Sequence, residues 1–195
     1  MRLMIVTDSH GKGMKTVIEG IRPYWIILEV VFGRKTSELL LHFQERHEDV
    51  VRFCPDVTIL HSGHNDVVAH HRYNPEPTHT RQLLPQLVEF MHLIYSICPN
   101  NTVYLSCMFP QTSGAHFDAE QVGLYNCIAR RFIEMIQKDA KEEHFLYLLN
   151  RVLWKSVKKS QENDEFFRFD GLHLSKDGQI AVCTGWVSQV KKDRA

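Results

Sequence analysis

The stretch LMIVTDSHGKG, residues 3–13, decides the fold of this protein. Its first five residues are apolar or β-branched without interruption, and an acidic, a hydroxyl and an imidazole side chain follow at once. An unbroken apolar run of this length is typical of a strand in a parallel sheet that is covered on both faces. We therefore expect a buried strand over residues 3–7, with Ser9 just beyond its carboxyl end.

Four further apolar runs alternate with longer segments of helical periodicity. These predicted strands are residues 25–31, 57–61, 102–108 and 145–149. Strand–helix alternation predicts an α/β fold, here a three-layer α/β/α sandwich with right-handed crossovers. We expect one domain over residues 1–195, with about five mainly parallel strands in the flavodoxin-like order 2-1-3-4-5.

Three helices can be placed from the spacing of their apolar residues. One runs from Leu83 to Cys98, which puts Pro85 in its first turn, where the missing N–H costs little. A second follows Asp118, which forms a capping-box pattern with Gln121. Its expected apolar residues are Leu124, Ile128, Phe132, Met135 and Ile136. The last helix begins at Ser175. Its expected apolar residues are Ile180, Cys183, Val187 and Val190.

The composition describes an ordinary soluble globular protein. Of 195 residues, 44% are hydrophobic, and the formal net charge is zero, which argues against a protein steered to nucleic acid by its charge. The apolar run near the N-terminus is too short for a signal sequence, and none reaches the ~20 residues of a membrane span. Five cysteines lack C-x-x-C spacing, so we expect reduced, buried thiols. These features predict a cytoplasmic protein, unless the chain is one domain of a longer one.

Residues with chemical potential follow the predicted strands. Ser9 follows the first strand, Gly33 the second and Asn65 the third, while Asp170 and His173 precede the last helix. In an open parallel sheet, ligands bind beyond the carboxyl ends of the strands. Each residue alone has an ordinary explanation as a helix cap, a turn or a strand end. Their shared placement at one edge of the sheet is what favours a site.

These residue types suit acyl transfer. A serine hydroxyl is a weak nucleophile until a base removes its proton, and His173 can do this if Asp170 holds its other ring nitrogen. The oxyanion that forms needs donors that are already in place. The side-chain amide of Asn65 and the backbone N–H groups of Ser9 and Gly33 are the candidates.

Four segments resemble the four sequence blocks of the SGNH (GDSL-type) hydrolase superfamily. They are TDSHG at residues 7–11, the lone Gly33, SGHND at residues 62–66 and FDGLHLSKDG at residues 169–178. The resemblance extends from residue 3 to about residue 187. It implies a serine esterase with Ser9 as nucleophile, Asp170 and His173 as its partners, and Asn65 and Gly33 in the oxyanion hole.

Two positions depart from the family pattern. Thr7 stands where the family usually has glycine, and His10 stands where it usually has leucine. The first change is tolerable if the backbone there is ordinary, whereas the second puts an imidazole beside the nucleophile. The amino-acid sequences of the blocks are most similar to those of SGNH-like domains of animal non-LTR retrotransposon proteins. That narrower resemblance implies one module of a longer protein.

Three other functions are alternatives to the esterase. A zinc site could use histidines near Asp66, but they show no helical H-x-x-x-H spacing, and we expect neither a metal nor another cofactor. These histidines are His61, His64, His70, His71 and His79. Two short basic clusters are better explained as solvated helix ends and a tail, so we expect no direct nucleic-acid binding. They contain Lys155, Lys158, Lys159, Lys191, Lys192 and Arg194. The third alternative is an inactive hydrolase fold that binds lipid or protein.

The substrate class follows from the resemblance and the short chain. Family members of this size lack long lid insertions, so we expect a shallow site that takes acetyl or short-acyl esters, including those of lipids. The acyl group, the alcohol and the oligomeric state are left open by the sequence.

Overall fold

The computed structural model contains a five-stranded parallel sheet. It describes residues 1–8, 11, 13–20, 25–30, 35–67, 78–110, 119–140, 143–149, 153, 165–168 and 173–195. The strands are β1 (Arg2–Thr7), β2 (Trp25–Val30), β3 (Val57–His61), β4 (Thr102–Ser106) and β5 (Phe145–Leu148). Their order is β2-β1-β3-β4-β5 and all four pairings are parallel. The predicted α/β class and strand order are therefore confirmed.

Six helices of six or more residues surround the sheet in the described part of the chain. They are α1 (Met14–Glu19), α2 (Thr36–Glu45), α3 (His47–Phe53), α4 (Thr78–Ile97), α5 (Ala119–Ala140) and α6 (Lys176–Asp193). Ser175 caps α6 as predicted, because its hydroxyl accepts a hydrogen bond of 3.1 Å from the backbone N–H of Gly178. Asp118 of the proposed capping box lies outside the described residues.

The two faces of the sheet carry separate apolar cores, since alternate side chains of each strand point to opposite sides. Met4, Leu60 and Val103 pack with apolar residues of α2, α4 and α5. Ile5 and Ile59 pack on the other face with apolar residues of α1 and α6. This arrangement is the three-layer sandwich that the strand–helix alternation predicts.

Two details of the helices differ from the sequence-based expectation. Helix α4 begins at Thr78, so Pro85 lies inside it and not in its first turn, and the backbone there lacks one N–H donor. Three apolar residues expected on buried faces, Leu124, Met135 and Ile180, are exposed. Helix α5 buries Val122, Tyr125, Ala129 and Ile133. Helix α6 buries the expected Cys183, Val187 and Val190 together with Val182 and Trp186. A helix with apolar residues on more than one face does not show which face its neighbour covers.

All five cysteines are free thiols. Cys98, Cys107 and Cys183 are buried, whereas Cys54 and Cys127 are half-buried, so the expectation of buried thiols is met by three. Burial and the neighbouring Cys54 raise the pKa of Cys98 to about 11, and burial raises the pKa of Cys183 to about 12. These two thiols are thus poor nucleophiles near neutral pH. Within the described ranges, no helix is both long and apolar enough to cross a membrane.

Candidate active site

Buried polar side chains gather at the carboxyl edge of the sheet. Four polar residues that are at most 3% exposed lie at or within three residues of a strand end. They are Asp8 after β1, Ser62 and His64 after β3, and Ser106 at the end of β4. Burying polar groups costs free energy unless they form hydrogen bonds. Their concentration at the edge where ligands of parallel sheets bind marks it as the candidate site.

The ends of β1 and β3 bring two of the sequence blocks side by side. Thr7 pairs with His61 in the parallel register, and the backbone N–H of Asp8 donates to the carbonyl of His61 over 3.3 Å. Ser9 comes next after Asp8 in the chain. Ser9 and His10 themselves lie outside the described residues. The segments that carry Ser9 and Asn65 therefore leave neighbouring strands at the same edge.

Thr7, which stands where the family usually has glycine, has an ordinary backbone. It is a fully buried residue of β1, and a Cβ built on Gly11 would overlap its side chain. The threonine methyl thus fills space that a residue larger than glycine at position 11 would need. The departure at position 7 is accommodated by packing.

Asn65 lies in a short helical segment, residues 64–67, which is separated from β3 by the two residues Ser62 and Gly63. Gly63 has a φ of +105°, a conformation that L side chains rarely adopt, and the turn it makes joins β3 to this segment. Asn65 is half-buried, so its side chain lies between the core and solvent. An amide in this position suits a donor that must reach a bound substrate.

Asp66 ties this segment to helix α2. Its Oδ2 accepts hydrogen bonds from both the backbone N–H and the hydroxyl of Thr36, each 2.9 Å long. The hydroxyl groups of Thr36 and Ser62 are 3.0 Å apart. Burial raises the pKa of the Asp66 carboxyl, and the two Thr36 donors oppose this rise. Gly33 lies outside the described residues, three positions before Thr36 in the chain.

A short hairpin stem holds the segment with the predicted base. The backbone N–H of Arg168 donates to the carbonyl of His173 over 2.7 Å, and the N–H of Ser175 donates to the carbonyl of Phe166 over 2.9 Å. A Cβ on Gly178 would overlap the backbone of Phe166, so the first turn of α6 presses against this stem. His173 is half-buried at the end of the stem. Asp170 lies outside the described residues.

His61 has structural partners and not those of a metal ligand. Its Nδ1 atom lies 3.2 Å from the Ser106 hydroxyl, and its ring stacks on Phe109 with 4.0 Å between ring centres. Among the residues that the structure describes, no three His, Cys, Asp or Glu side chains converge as a metal site requires. His70 and His71 lie outside that set.

A cleft of about 620 Å³ lies between α1 and α6. Its lining includes Gly13 and Val17 from the first helix region and Lys176 and Gln179 from the last. Arg168, at the hairpin stem, also contributes. In the chain, this lining flanks both the Ser9 segment and the Asp170–His173 segment.

Of the five predicted site residues, the structure describes Asn65 and His173. Sequence reasoning assigned no role to Thr36, Ser62 or Asn126, which the structure shows in buried hydrogen bonds at this edge. The motif SGHND did indicate Asp66 as a residue of the site, because Asp66 directly follows Asn65. Nothing local to position 36 indicated the partner of Asp66.

The fold is shared with solved esterase and lipase structures. An acetyl xylan esterase, AlAXEase, superposes with a TM-score of 0.70 at 17% identity, covering 97% of this chain and 100% of that one. A GDSL-like lipase from Bacteroides thetaiotaomicron gives 0.71 at 16% identity, covering 100% and 89%. A family 3 carbohydrate esterase from Clostridium thermocellum gives 0.67 at 18% identity, covering 96% and 94%.

These neighbours confirm the fold predicted from the sequence blocks, which is that of GDSL-like lipases and acetylxylan esterases. No family model matches the chain. No curated protein matches its sequence either. At this level of identity the likeness concerns the fold, and function must be argued from the residues of the site.

Proposed function

We propose that this protein is a serine esterase that hydrolyses carboxylic esters with acetyl or short acyl groups, including those of lipids. The observation that carries the proposal is the pairing of β1 with β3, which puts the Ser9 and Asn65 segments on adjacent strands of an esterase-type fold. The hairpin stem that ends at His173 supplies a braced segment for the base.

In the proposed reaction, Ser9 attacks the ester carbonyl carbon while His173 accepts the hydroxyl proton. The carbonyl oxygen becomes an oxyanion, which Asn65 and the backbone N–H groups of Ser9 and Gly33 stabilise. As the oxyanion collapses, the C–O bond to the alcohol breaks and His173 returns the proton to the leaving oxygen. A water molecule then attacks the acyl-enzyme while His173 accepts its proton. The bond between the acyl group and Ser9 breaks, His173 returns the proton to the Ser9 oxygen, and the acid is released. Asp170 orients the imidazole throughout.

The residues need no metal or other cofactor for this sequence of steps, and we propose none. Acetyl and short acyl groups suit the proposal because AlAXEase, a structural neighbour of similar length, is an acetyl xylan esterase. The similarity of the sequence blocks to those of retrotransposon SGNH-like domains suggests a module that works within a longer protein. The cytoplasmic location and the lack of direct nucleic-acid binding belong to the same proposal.

Covalent labelling tests the nucleophile directly. We expect a fluorophosphonate probe to label the wild-type protein at Ser9 and to leave the Ser9→Ala variant unlabelled. A series of nitrophenyl esters of increasing chain length should give its highest kcat/KM with acetyl to butyryl groups. A wild-type protein that neither reacts with the probe nor hydrolyses any of these esters would overturn the esterase and favour a binding module.

A further inference from the structure

Helix α2 and the segment after β3 are joined by a buried polar contact that the proposed chemistry does not use. Thr36 is fully buried, and Ser62 and Asp66 are 2% and 9% exposed. One carboxylate oxygen of Asp66 accepts both Thr36 donors, and the Thr36 and Ser62 hydroxyls are within hydrogen-bond distance. We call these three residues the latch.

The latch connects two segments that are distant in the chain. Thr36 opens α2, directly after the segment that contains Gly33. Asp66 is the neighbour of Asn65, and Ser62 directly follows β3. The three side chains therefore join the two segments from which the proposed oxyanion donors, apart from Ser9, come.

Asp66 lies in buried surroundings, where its carboxylate needs hydrogen-bond donors. Burial disfavours the charge of the carboxylate and raises its pKa, and the two donors from Thr36 are the largest of the interactions that oppose this rise. Tyr125 lies behind the segment, and its hydroxyl is buried without a hydrogen-bond partner among the described residues. A Cβ on Gly63 would come within 3.6 Å of this hydroxyl. Apolar side chains pack behind the segment, and the latch gives it buried polar contacts to α2.

We propose that Thr36 and Asp66 are positioning residues, which hold residues 62–67 against the start of α2 and thereby fix the position of Asn65 in the proposed oxyanion hole. This inference rests on the proposed esterase function for its catalytic consequence. Electrostatic stabilisation of an oxyanion depends on donors that do not reorganise during the reaction, and a displacement of about 1 Å is costly. Loosening the latch should therefore slow the chemical step more than it weakens substrate binding.

The test compares three conservative variants. Thr36→Val keeps the shape and the backbone N–H but removes the hydroxyl that contacts both Asp66 and Ser62. Thr36→Ser keeps that hydroxyl. Thr58→Val is the matched control, because Thr58 is also fully buried and accepts one hydrogen bond of 2.6 Å, from Asn101, at the opposite edge of the sheet. For each protein, kcat and KM on nitrophenyl acetate and the backbone hydrogen exchange of residues 62–67 are measured.

We expect Thr36→Val to lower kcat about 10-fold with KM changed less than about 2-fold. The exchange of residues 62–67 should become about 10-fold faster in this variant. Thr36→Ser should behave as the wild type in both measurements. Thr58→Val should keep the wild-type kcat and the wild-type exchange at residues 62–67, even if it unfolds more easily.

Two results would overturn the inference: unchanged kcat and exchange in Thr36→Val, or an equal fall of kcat in Thr58→Val, which would make the effect one of overall stability. A wild-type protein without esterase activity would instead overturn the proposed function. The exchange measurement would then still decide whether the hydroxyl of Thr36 holds residues 62–67 in place.

Discussion

The side chain of Asn126 pairs with both backbone polar groups of Met108. The N–H of Met108 donates to Oδ1 over 2.8 Å, and Nδ2 donates to the carbonyl of Met108 over 3.0 Å. Asn126 lies on α5, and Met108 lies two residues beyond β4. A helix side chain thus takes the place of a neighbouring strand. This explains why β4 ends at Ser106 and not at the predicted residue 108.

We expect Asn126→Ala to destabilise the fold strongly, because it leaves two buried backbone groups of Met108 unpaired. The free energy of unfolding should fall by about 2–4 kcal/mol, measured by urea denaturation. Tyr147→Phe is the control, since the Tyr147 hydroxyl donates a single bond of 3.2 Å to the same Oδ1 atom. That variant should lose about 1 kcal/mol or less. Equal losses in the two variants would show that the pairing with Met108 is not the main contribution.

Two glycine substitutions should have opposite effects on stability. Gly63 has a φ of +105°, and a Cβ there would lie 2.7 Å from Cε of Met108 and 3.0 Å from Cδ2 of Leu83. Gly63→Ala should therefore lower the free energy of unfolding by about 1–3 kcal/mol. Gly185 lies inside α6 with nothing within 4 Å of such a Cβ. Gly185→Ala should raise it by about 0.5–1 kcal/mol. A Gly63→Ala variant that is more stable than the wild type would show that the turn at Gly63 does not require glycine.

Asn65→Ala tests the proposed oxyanion donor. If the side-chain amide stabilises the developing charge, kcat on nitrophenyl acetate should fall by about 100-fold or more, with KM and the urea midpoint nearly unchanged. The substitution removes the donor but not Asp66, so the contact with Thr36 is kept. Wild-type turnover in a folded variant would remove Asn65 from the mechanism.

Ser9 and His173 should act as one unit. Ser9→Ala, His173→Ala and the double variant should fall to a similar residual rate, because losing either partner already removes the step they share. A large further loss when His173→Ala is added to Ser9→Ala would separate the two residues.

Asp56 should make stability depend on acid pH. The backbone N–H of Arg2 donates to Asp56 Oδ2 over 2.7 Å, and this bond holds the pKa of the carboxyl below its ordinary value. Because the folded-state pKa is lowered, the stabilisation is complete above the unfolded value and is lost as pH falls through the folded value. Asp56→Asn should thus be less stable than the wild type at pH 7, with the gap closing in acid.

The control for this prediction is Asp49→Asn, which removes an ion pair on the surface of α3. Asp49 lies 2.7 Å from Nε of Arg46, and both side chains are more than two-fifths exposed. Exposed pairs contribute about 0–1 kcal/mol, so we expect a smaller effect at every pH. Parallel urea denaturation at pH 7 and pH 3 measures both variants. A gap for Asp56→Asn that widened in acid would contradict the assigned direction.

The sheet could be predicted because its signal is local. Each strand consists mainly of apolar and β-branched residues, and β3 matches its predicted bounds, residues 57–61. Helix faces were harder, because the exposed Ile180 and Leu124 lie on helices with apolar residues on several sides. Which side is buried depends on the neighbouring element, and that information is absent from the segment itself.

The candidate site shows the same division. Asn65 and His173 could be placed because they follow or precede recognisable elements. The partners of Asp66 and Met108 could not, because Thr36 is 30 residues from the first and Asn126 is 18 residues from the second. Such contacts are made by the topology of the sandwich and leave no periodic pattern in the sequence.

Asp56 has one further consequence for the chain as a whole. Besides its contact with Arg2, its carbonyl accepts a hydrogen bond of 3.4 Å from Arg194. Residues 2 and 194 are therefore near neighbours in space, at the sheet edge opposite Asn65. This closeness makes the protein suited to circular permutation, since a short linker could join residues 1 and 195. It would equally allow the domain to be inserted into a loop of a host protein, with both connections on the side of the sheet opposite the candidate site.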